Sequence, residues 1–293
     1  MAAFDKGSSL GFIGAGKVGG TLAITLANAG YSIKGVANRT YSSAEELAAR
    51  IDGCEAHPSY QGLIDACEVV FITTSDGAIG QIVAAGEWRQ GQAVVHCSGA
   101  ASLDLLDKAS ESGALPGAFH PFQAFSSVEN GIKSIPGITF GIEGDDAMRT
   151  YLGEMARNIG ANPIFLNAED KVLYHLSGVL MGNLLTCLAA IAAQVWEKFD
   201  YDRADGVKAL VPMMRAVANN LETSGIPDAV AGPYPRGDVG TVRKHLEVLE
   251  DRFPEILPMY CELALAGLPY AIEKGLDQST ADEISTLIIG FKN

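Results

Sequence analysis

Hydrophobic and polar residues follow two different patterns along the chain. Up to about residue 166, short apolar runs alternate with helical patterns. The apolar runs cover residues 10–13, 31–37, 69–73, 93–97, 113–119, 137–142 and 162–166. Because strands that alternate with helices are joined by right-handed crossovers, this pattern predicts a mainly parallel sheet with helices on both faces. The segment from Ser43 to Glu46 has capping-box form and predicts the start of one of these helices.

From Ala168 onward, the β-branched runs give way to long helical segments. These segments cover residues 168–199, 203–223, 238–252, 255–273 and 277–290, with breaks that carry proline and glycine. The chain therefore predicts two domains. An α/β domain over residues 1–166 is followed by an all-helical domain over residues 167–293.

The segment from Val172 to Trp196 contains no acidic residue, lysine or arginine and is long enough to span a membrane. As a membrane helix it would place His175 and Asn183 in lipid, and its flanks supply no basic loop. We therefore expect a buried helix of a protein that does not interact with a membrane. The glycines at 178 and 182 permit a close approach, either of another helix at a dimer core or of a flat ligand.

Charge and cysteine content narrow the functional classes. The chain has 35 acidic and 21 basic side chains, for a net charge of −14, so nucleic acid and anionic membranes are not expected as general partners. Its five cysteines are scattered, without a CxxC pair or histidines at zinc spacing. This pattern predicts free thiols in a reducing cytoplasm and no metal site. The N-terminal sequence lacks the basic and apolar regions of a signal peptide, which agrees with a cytoplasmic location.

A glycine-rich loop follows the first apolar run and leads directly into a helical pattern. The loop comprises Gly14, Ala15, Gly16, Lys17, Val18 and Gly19. In this setting the first glycine permits the tight turn, the second lets a pyrophosphate approach, and the third allows helix and strand to pack closely. The free N–H groups at the helix start then bind the phosphates, so the loop predicts a dinucleotide site.

The end of the second apolar run indicates which dinucleotide binds. An NAD site would place a carboxylate there to accept from the ribose 2′-hydroxyl. This chain has Asn38, Arg39 and Thr40 instead. A guanidinium beside a hydroxyl suits a 2′-phosphate, which favours NADP(H). The alternative is that Arg39 is an ordinary solvated side chain.

Polar residues also follow the later strands, where ligands collect in an open parallel sheet. Thr74 and Ser75 follow one run, Ser98 follows the next, and His120 and Gln123 follow a third. We expect the first two to border the cofactor ribose and the others to lie nearer the reacting centre. The alternative is that these residues only form turns, and that His120 is a half-buried histidine whose hydrogen bonds are made within the protein.

The helical half adds further candidates. His175 shares a helix face with Lys171, and Asn183 lies at the border of that face. Before a later helix, Arg236 is placed to bind a substrate carboxylate and Asp238 to cap the helix. The alternative is that Arg236 and Asp238 only form a helix start after a proline-rich loop.

The chain resembles Rossmann-like proteins with a helical C-terminal half, relatives of pyrroline-5-carboxylate reductase and of the 6-phosphogluconate and β-hydroxyacid dehydrogenases. The resemblance covers essentially the whole chain and rests on six segments. These are GFIGAGKVGGTLA, ANRT, VVHCSGA, GAFHPFQAF, YHLSGVLMGNLL and GPYPRGDVGTVRKHL. The resemblance implies that the first domain binds NADP(H), that the helical domain forms a homodimer, and that the active site lies in the cleft between the domains. His120, Gln123, His175 and Asn183 are then expected beside that cleft.

The resemblance also implies the reaction class, which is reduction of a C=N or C=O bond of a small molecule by hydride transfer. We expect His175 or His120 to supply the proton, and Asn183, Gln123 and Ser98 to orient the substrate. In the hydroxyacid dehydrogenases the catalytic lysine and asparagine lie one helical turn apart, whereas here His175 follows Lys171. This departure argues against a lysine-catalysed hydroxyacid mechanism, and oxidation of a hydroxy acid is the alternative reaction. A non-catalytic NADP(H)-responsive binding protein is another.

Overall fold

The computed structural model, which describes residues 4–292, has an eight-stranded sheet in its N-terminal half. The strands are β1 (Leu10–Ile13), β2 (Ile33–Ala37), β3 (Glu55–His57), β4 (Val69–Ile72), β5 (Ala93–His96), β6 (Leu115–Pro121), β7 (Thr139–Gly144) and β8 (Asn162–Phe165). Their order is β3-β2-β1-β4-β5-β6-β7-β8, and only the β6–β7 pair is antiparallel. The predicted parallel-dominated sheet is confirmed. The sequence missed β3, which has three residues and no apolar run.

The chain order reverses at β1, which pairs with β2 on one side and with β4 on the other. In open α/β sheets such a reversal leaves a crevice at the carboxyl ends of the two strands. On the other side of β4, the carboxyl ends of β5 and β6 continue the row. The antiparallel β7 starts at this same edge, because Phe122 N donates to Thr139 O across 2.8 Å.

Helices cover both faces of the sheet in this half. They are α1 (Lys17–Asn28), α2 (Tyr41–Ala48), α3 (Tyr60–Ala66), α4 (Asp76–Ala85), α5 (Asp107–Glu111), α6 (Val128–Ser134), α7 (Asp146–Asn158) and α8 (Ala168–Val179). Alternate strand residues supply two apolar cores, so that Phe12 lies in one and Ile13 in the other. The capping box expected at Ser43–Glu46 is wrong, because Ser43 N already bonds Thr40 O and α2 starts two residues earlier.

The structure divides into two compact units, the first ending at Leu184 and the second beginning at Leu185. The second unit consists of α9 (Leu185–Gln194), α10 (Arg203–Ser224), α11 (Val239–Arg252), α12 (Leu257–Glu273) and α13 (Gln278–Lys292), with a 3₁₀ turn at Val195–Phe199. Buried side chains of α11, α12 and α13 form its core. The predicted all-helical C-terminal half is confirmed.

The charge-free segment is helical but not buried. It comprises most of α8, a π-helical turn at Leu180–Leu184, and α9. Val172 and Leu173 are 65% and 68% exposed. Only 6% of the most apolar 18-residue stretch of this helix is buried. The expectation of a buried helix is therefore wrong for a single chain, because only one side of α8 packs on the sheet. By length and composition, the helix at 168–199 is the one candidate membrane span among the described residues.

A buried ion pair joins α8 to the sheet. The Lys171 ammonium donates to Oε1 of Glu143 on β7, and the two residues are 2% and 3% exposed. Strand register explains the space that the lysine occupies, since His96, Ala118 and Glu143 lie side by side on β5, β6 and β7. The small side chain of Ala118 leaves room on that face between the two larger ones.

We predict that Glu143→Gln lowers the free energy of unfolding by about 3–5 kcal/mol, because it leaves a buried ammonium without its counter-ion. Replacing both partners, with Lys171→Met and Glu143→Leu, should recover most of this loss. Chemical denaturation of the two variants beside the wild type measures both values. Equal destabilisation by the single and double variants would contradict the role given to the pair.

Candidate functional site

The glycine loop has the geometry that a phosphate site requires. Gly14 has φ +114°, and a Cβ there would lie 2.9 Å from backbone atoms of Thr73. A Cβ on Gly19 would lie 2.0 Å from Gly14 O, so the close packing of α1 on the loop depends on this glycine. Gly16 is the N-cap of α1 and faces open space. Because no side chain caps α1, its first N–H groups remain available to an external anion.

The loop borders a cavity of about 430 Å³. Its lining consists of Gly14, Gly16, Asn38, Arg39, Thr40, Tyr60, Thr73, Thr74, Ser75, Ala78, Gln81 and Ile82. Seven of the predicted cofactor residues are thus brought together, and Ala15 joins them because its N–H donates to Asn38 Oδ1 over 3.2 Å. The remaining three, Lys17, Val18 and Gly19, form the first turn of α1.

The donor set of this cavity fits a phosphate-rich dinucleotide. Arg39 is exposed and makes no hydrogen bond or ion pair with the described residues, so its guanidinium can bind a ligand. Asn38 braces the loop, with Oδ1 on Ala15 and Nδ2 on Thr40 O. No carboxylate lines the cavity. The free helix start, the arginine and the hydroxyls together are suited to NADP(H).

A second cavity, of about 330 Å³, lies in the same unit beside the ends of β6 and α8. We call it the imidazole cavity. Its lining is His120, Phe122, Gln123, Ala124, His175, Gly178, Val179, Met181, Gly182 and Asn183. Four of the five residues expected to act on the substrate therefore meet here. The fifth, Ser98, is buried and accepts from Ala101 N over 3.1 Å, as a turn residue does.

The two histidines converge above Gly99, which follows β5. A Cβ on Gly99 would lie 2.5 Å from His175 Nδ1 and 2.7 Å from His120 Nε2. The ring centroids are 6.2 Å apart and the rings are nearly perpendicular. A glycine at this position is therefore a condition for both imidazoles to approach the same point.

The other ring nitrogen of His120 has a polar contact. Its Nδ1 lies 3.0 Å from the hydroxyl of Tyr174, which is one residue before His175 on α8. Burial, together with the smaller effects of the neighbouring His175 and Lys171, lowers the pKa of His120 to about 4. The ring is consequently neutral at neutral pH.

His96 lies below this pair and is fully buried. Its Nδ1 accepts from Ser98 N over 3.2 Å, and its Nε2 has no hydrogen-bond partner in the part of the chain that the structure describes. Burial and the Lys171 ammonium lower the pKa of His96 to about 3. Sequence reasoning missed the contributions of His96, Tyr174 and Glu143. The partners of Tyr174 and Glu143, which are His120 and Lys171, lie far away in the chain.

The remaining predicted substrate residues lie in the second unit. Asp238 accepts from Thr241 N and Thr241 Oγ1, at 3.0 and 2.7 Å, and caps α11 as predicted for a helix start. Arg236 lies two residues earlier, and its contact with a substrate stays a prediction. Within residues 4–292, no three potential metal ligands cluster.

Two family matches cover most of the chain. Residues 5–121 match the family described as a Rossmann-like domain, and residues 138–266 match a domain of unknown function, DUF2520. No curated protein matches the chain. The predicted family resemblance and the predicted fold class are confirmed.

Solved structures with the same fold extend the comparison. A proposed NADP oxidoreductase from Bacteroides fragilis is 22% identical with a TM-score of 0.69, over 90% of this chain and 99% of its own. A reductive aminase from Aspergillus terreus, in complex with NADPH, is 17% identical with a TM-score of 0.60, over 97% and 93%. Pyrroline-5-carboxylate reductase from Streptococcus pyogenes is 15% identical with a TM-score of 0.60, over 98% and 99%.

We predict that His120 makes stability depend on pH below neutrality. Its pKa is about 4 in the folded state and 6.5 ordinarily, so between these values the unfolded chain binds more protons. The free energy of unfolding therefore falls with decreasing pH, by up to about 1.4 kcal/mol per unit from this group. His120→Gln should reduce this slope.

Trp88 is buried in the first unit and reports its unfolding. The other tryptophan, Trp196, lies in the second unit. The wild type and His120→Gln are therefore both compared with the additional substitution Trp196→Phe, so that the tryptophan fluorescence comes from Trp88. Equal slopes for the wild type and His120→Gln between pH 6.5 and pH 4 would contradict the neutral state assigned to His120.

Proposed function

We propose that this chain, which joins a Rossmann-like domain to a DUF2520 domain, is an NADP(H)-dependent oxidoreductase. Its reaction is the reduction of a C=N or C=O bond of a small metabolite. The observation that carries the proposal is the convergence of His120 and His175 at the carboxyl edge of the sheet that also bears the glycine loop. A dinucleotide pocket and proton-transferring side chains on one sheet edge are the parts that a reductase needs.

The glycine loop and Arg39 are the residues that would hold the cofactor. The N–H groups at the start of α1 would bind the pyrophosphate, and the Arg39 guanidinium would bind the 2′-phosphate. When bound, NADPH supplies the hydride. Thr74 and Ser75 border the same cavity with their hydroxyls.

The imidazole cavity would hold the substrate. His175 supplies the proton that the reduced oxygen or nitrogen requires, since imidazole transfers protons near neutral pH. Gln123 and Asn183 orient the substrate with their amides. Apolar atoms of Phe122, Val179 and Met181 line the rest of the same cavity.

Two observations favour this function over its alternatives. A hydroxyacid dehydrogenase mechanism would require an accessible lysine, whereas Lys171 is 2% exposed and paired with Glu143. A non-catalytic binding protein would need the dinucleotide cavity but not two histidines converging in a second cavity. Both observations support reduction over these rivals.

We further propose that the protein is a cytoplasmic homodimer that associates through the charge-free helix. Val172, Leu176, Leu180 and Leu184 are spaced by four and are each at least 50% exposed. Such a stripe marks an association surface. The buried ion pair of Lys171 holds this helix on the sheet, which favours a second copy over lipid as its partner.

Arg39→Ala should weaken binding of NADPH by roughly 10- to 100-fold, because a charge-assisted hydrogen bond contributes about 1.5–3 kcal/mol. Binding of NADH, which lacks the 2′-phosphate, should change little and serves as the control. Fluorescence titration of the bound nicotinamide measures both affinities. Equal losses for the two cofactors would contradict a 2′-phosphate contact.

His175→Gln should reduce turnover by about 10²–10⁴-fold, because it removes the proton donor and keeps a hydrogen-bonding group of similar size. The affinity for NADPH should stay nearly unchanged, since His175 does not line the dinucleotide cavity. Steady-state oxidation of NADPH with a carbonyl or imine substrate measures the turnover. Unchanged turnover would remove His175 from the mechanism.

A further inference from the structure

We infer that Tyr174 is a positioning residue that holds His120 in the tautomer protonated on Nε2. His120 then donates a hydrogen bond to the reacting heteroatom of the substrate. The inference rests on the proposed function and deepens it, because it names the chemical class that the site accepts. That class comprises carbonyl compounds and unprotonated imines, whose oxygen or nitrogen carries a lone pair.

The direction of the hydrogen bond follows from the distances around the Tyr174 hydroxyl. His120 Nδ1 lies 3.0 Å away, whereas the backbone oxygen of the same histidine lies 3.5 Å away. The hydroxyl has one proton to donate, and the nearer acceptor is Nδ1. Burial raises the pKa of Tyr174 above its ordinary value, so the hydroxyl keeps that proton. A neutral imidazole that accepts on Nδ1 must carry its own proton on Nε2.

Packing fixes the Tyr174 ring in this place. A Cβ on Gly141, which is opposite His120 in the β6–β7 register, would lie 2.9 Å from Tyr174 Cζ. The ring of Phe122 lies against the tyrosine with centroids 4.7 Å apart. Lys171, one turn earlier on α8, anchors the helix through Glu143. The hydroxyl therefore has little freedom to leave Nδ1.

Burial and the charges that face His120 keep it neutral. His175 and the Lys171 ammonium disfavour a positive charge on the His120 ring. His96 lies on the neighbouring strand, β5. Glu143 is the counter-ion of Lys171, so this carboxylate is already engaged. His120 at neutral pH is thus a hydrogen-bond donor on Nε2 and not an imidazolium acid.

The protonated nitrogen faces the imidazole cavity. His120 and His175 both line that cavity, and His120 Nε2 and His175 Nδ1 both lie close to Gly99. A substrate oxygen or nitrogen in the cavity can accept from His120 and receive its proton from His175. A cationic iminium group has no lone pair and cannot accept this hydrogen bond. The two histidines therefore have different tasks, one polarising the bond and one protonating the product.

The test is ¹⁵N NMR of the folded protein labelled in its five histidines, with His120 assigned through His120→Gln. At neutral pH the wild type should show a pyridine-type signal for Nδ1 and a pyrrole-type signal for Nε2. Tyr174→Phe should shift both signals toward a tautomer average. Tyr151→Phe is the matched control, because it removes a buried hydroxyl of the same unit that has no hydrogen-bond partner among the described residues.

A pyrrole-type Nδ1, or an imidazolium, in the wild type would overturn the inference even if Tyr174→Phe fails to fold. This measurement uses no turnover, so its failure is distinguishable from failure of the proposed reductase activity. The substrate class is tested on the complex with NADP⁺, where no reduction occurs. Cyclohexanone or a neutral cyclic imine should shift the Nε2 proton signal downfield, and the N-methyl iminium salt of that imine should not. A shift with the iminium salt alone would overturn the substrate class. The finding that none of these compounds shifts the signal would also overturn it.

Discussion

The buried contact between Lys171 and Glu143 determines where α8 places its polar side chains on the sheet. Tyr174 and His175 follow Lys171 by three and four residues, so both lie on the same side of α8 as the lysine. Once the lysine is fixed on β7, the tyrosine and histidine of the next turn must lie over β6, beside His120. A buried charge pair adds little net stability, but it specifies one position of the helix, since any other position leaves a charge unpaired.

Glycines supply the second constraint, which is space. Gly19 lets α1 approach the phosphate loop, and Gly99 keeps the region between the two imidazoles free of a side chain. Gly178 admits the ring of Phe122, which a Cβ would approach to 2.7 Å. The two cavities thus depend on backbone positions at the ends of strands and on α8. The residues proposed to bind the dinucleotide lie at the ends of strands, whereas the imidazole cavity forms only when α8 packs on the sheet.

The sequence predicted the local features well and the long-range ones poorly. Strand runs, the glycine loop and the helices of the second half depend on neighbouring residues, and the structure reproduces them within a few positions. The partnership of Tyr174 with His120 joins residues 54 apart, and that of Lys171 with Glu143 joins residues 28 apart. No local pattern indicates such contacts. The burial of the charge-free helix was misjudged because its composition does not show which side the same chain covers.

We propose that a bound nicotinamide cofactor and the imidazole cavity together reduce a C=O or C=N bond. Single-turnover stopped-flow oxidation of protein-bound NADPH, with a panel of aldehydes, ketones, keto acids and cyclic imines, measures this reaction. At least one uncharged carbonyl compound or imine should oxidise the bound cofactor rapidly, with formation of the reduced product. Tight binding of NADPH without oxidation by any member of the panel would contradict it and would favour a non-catalytic NADP(H)-binding protein.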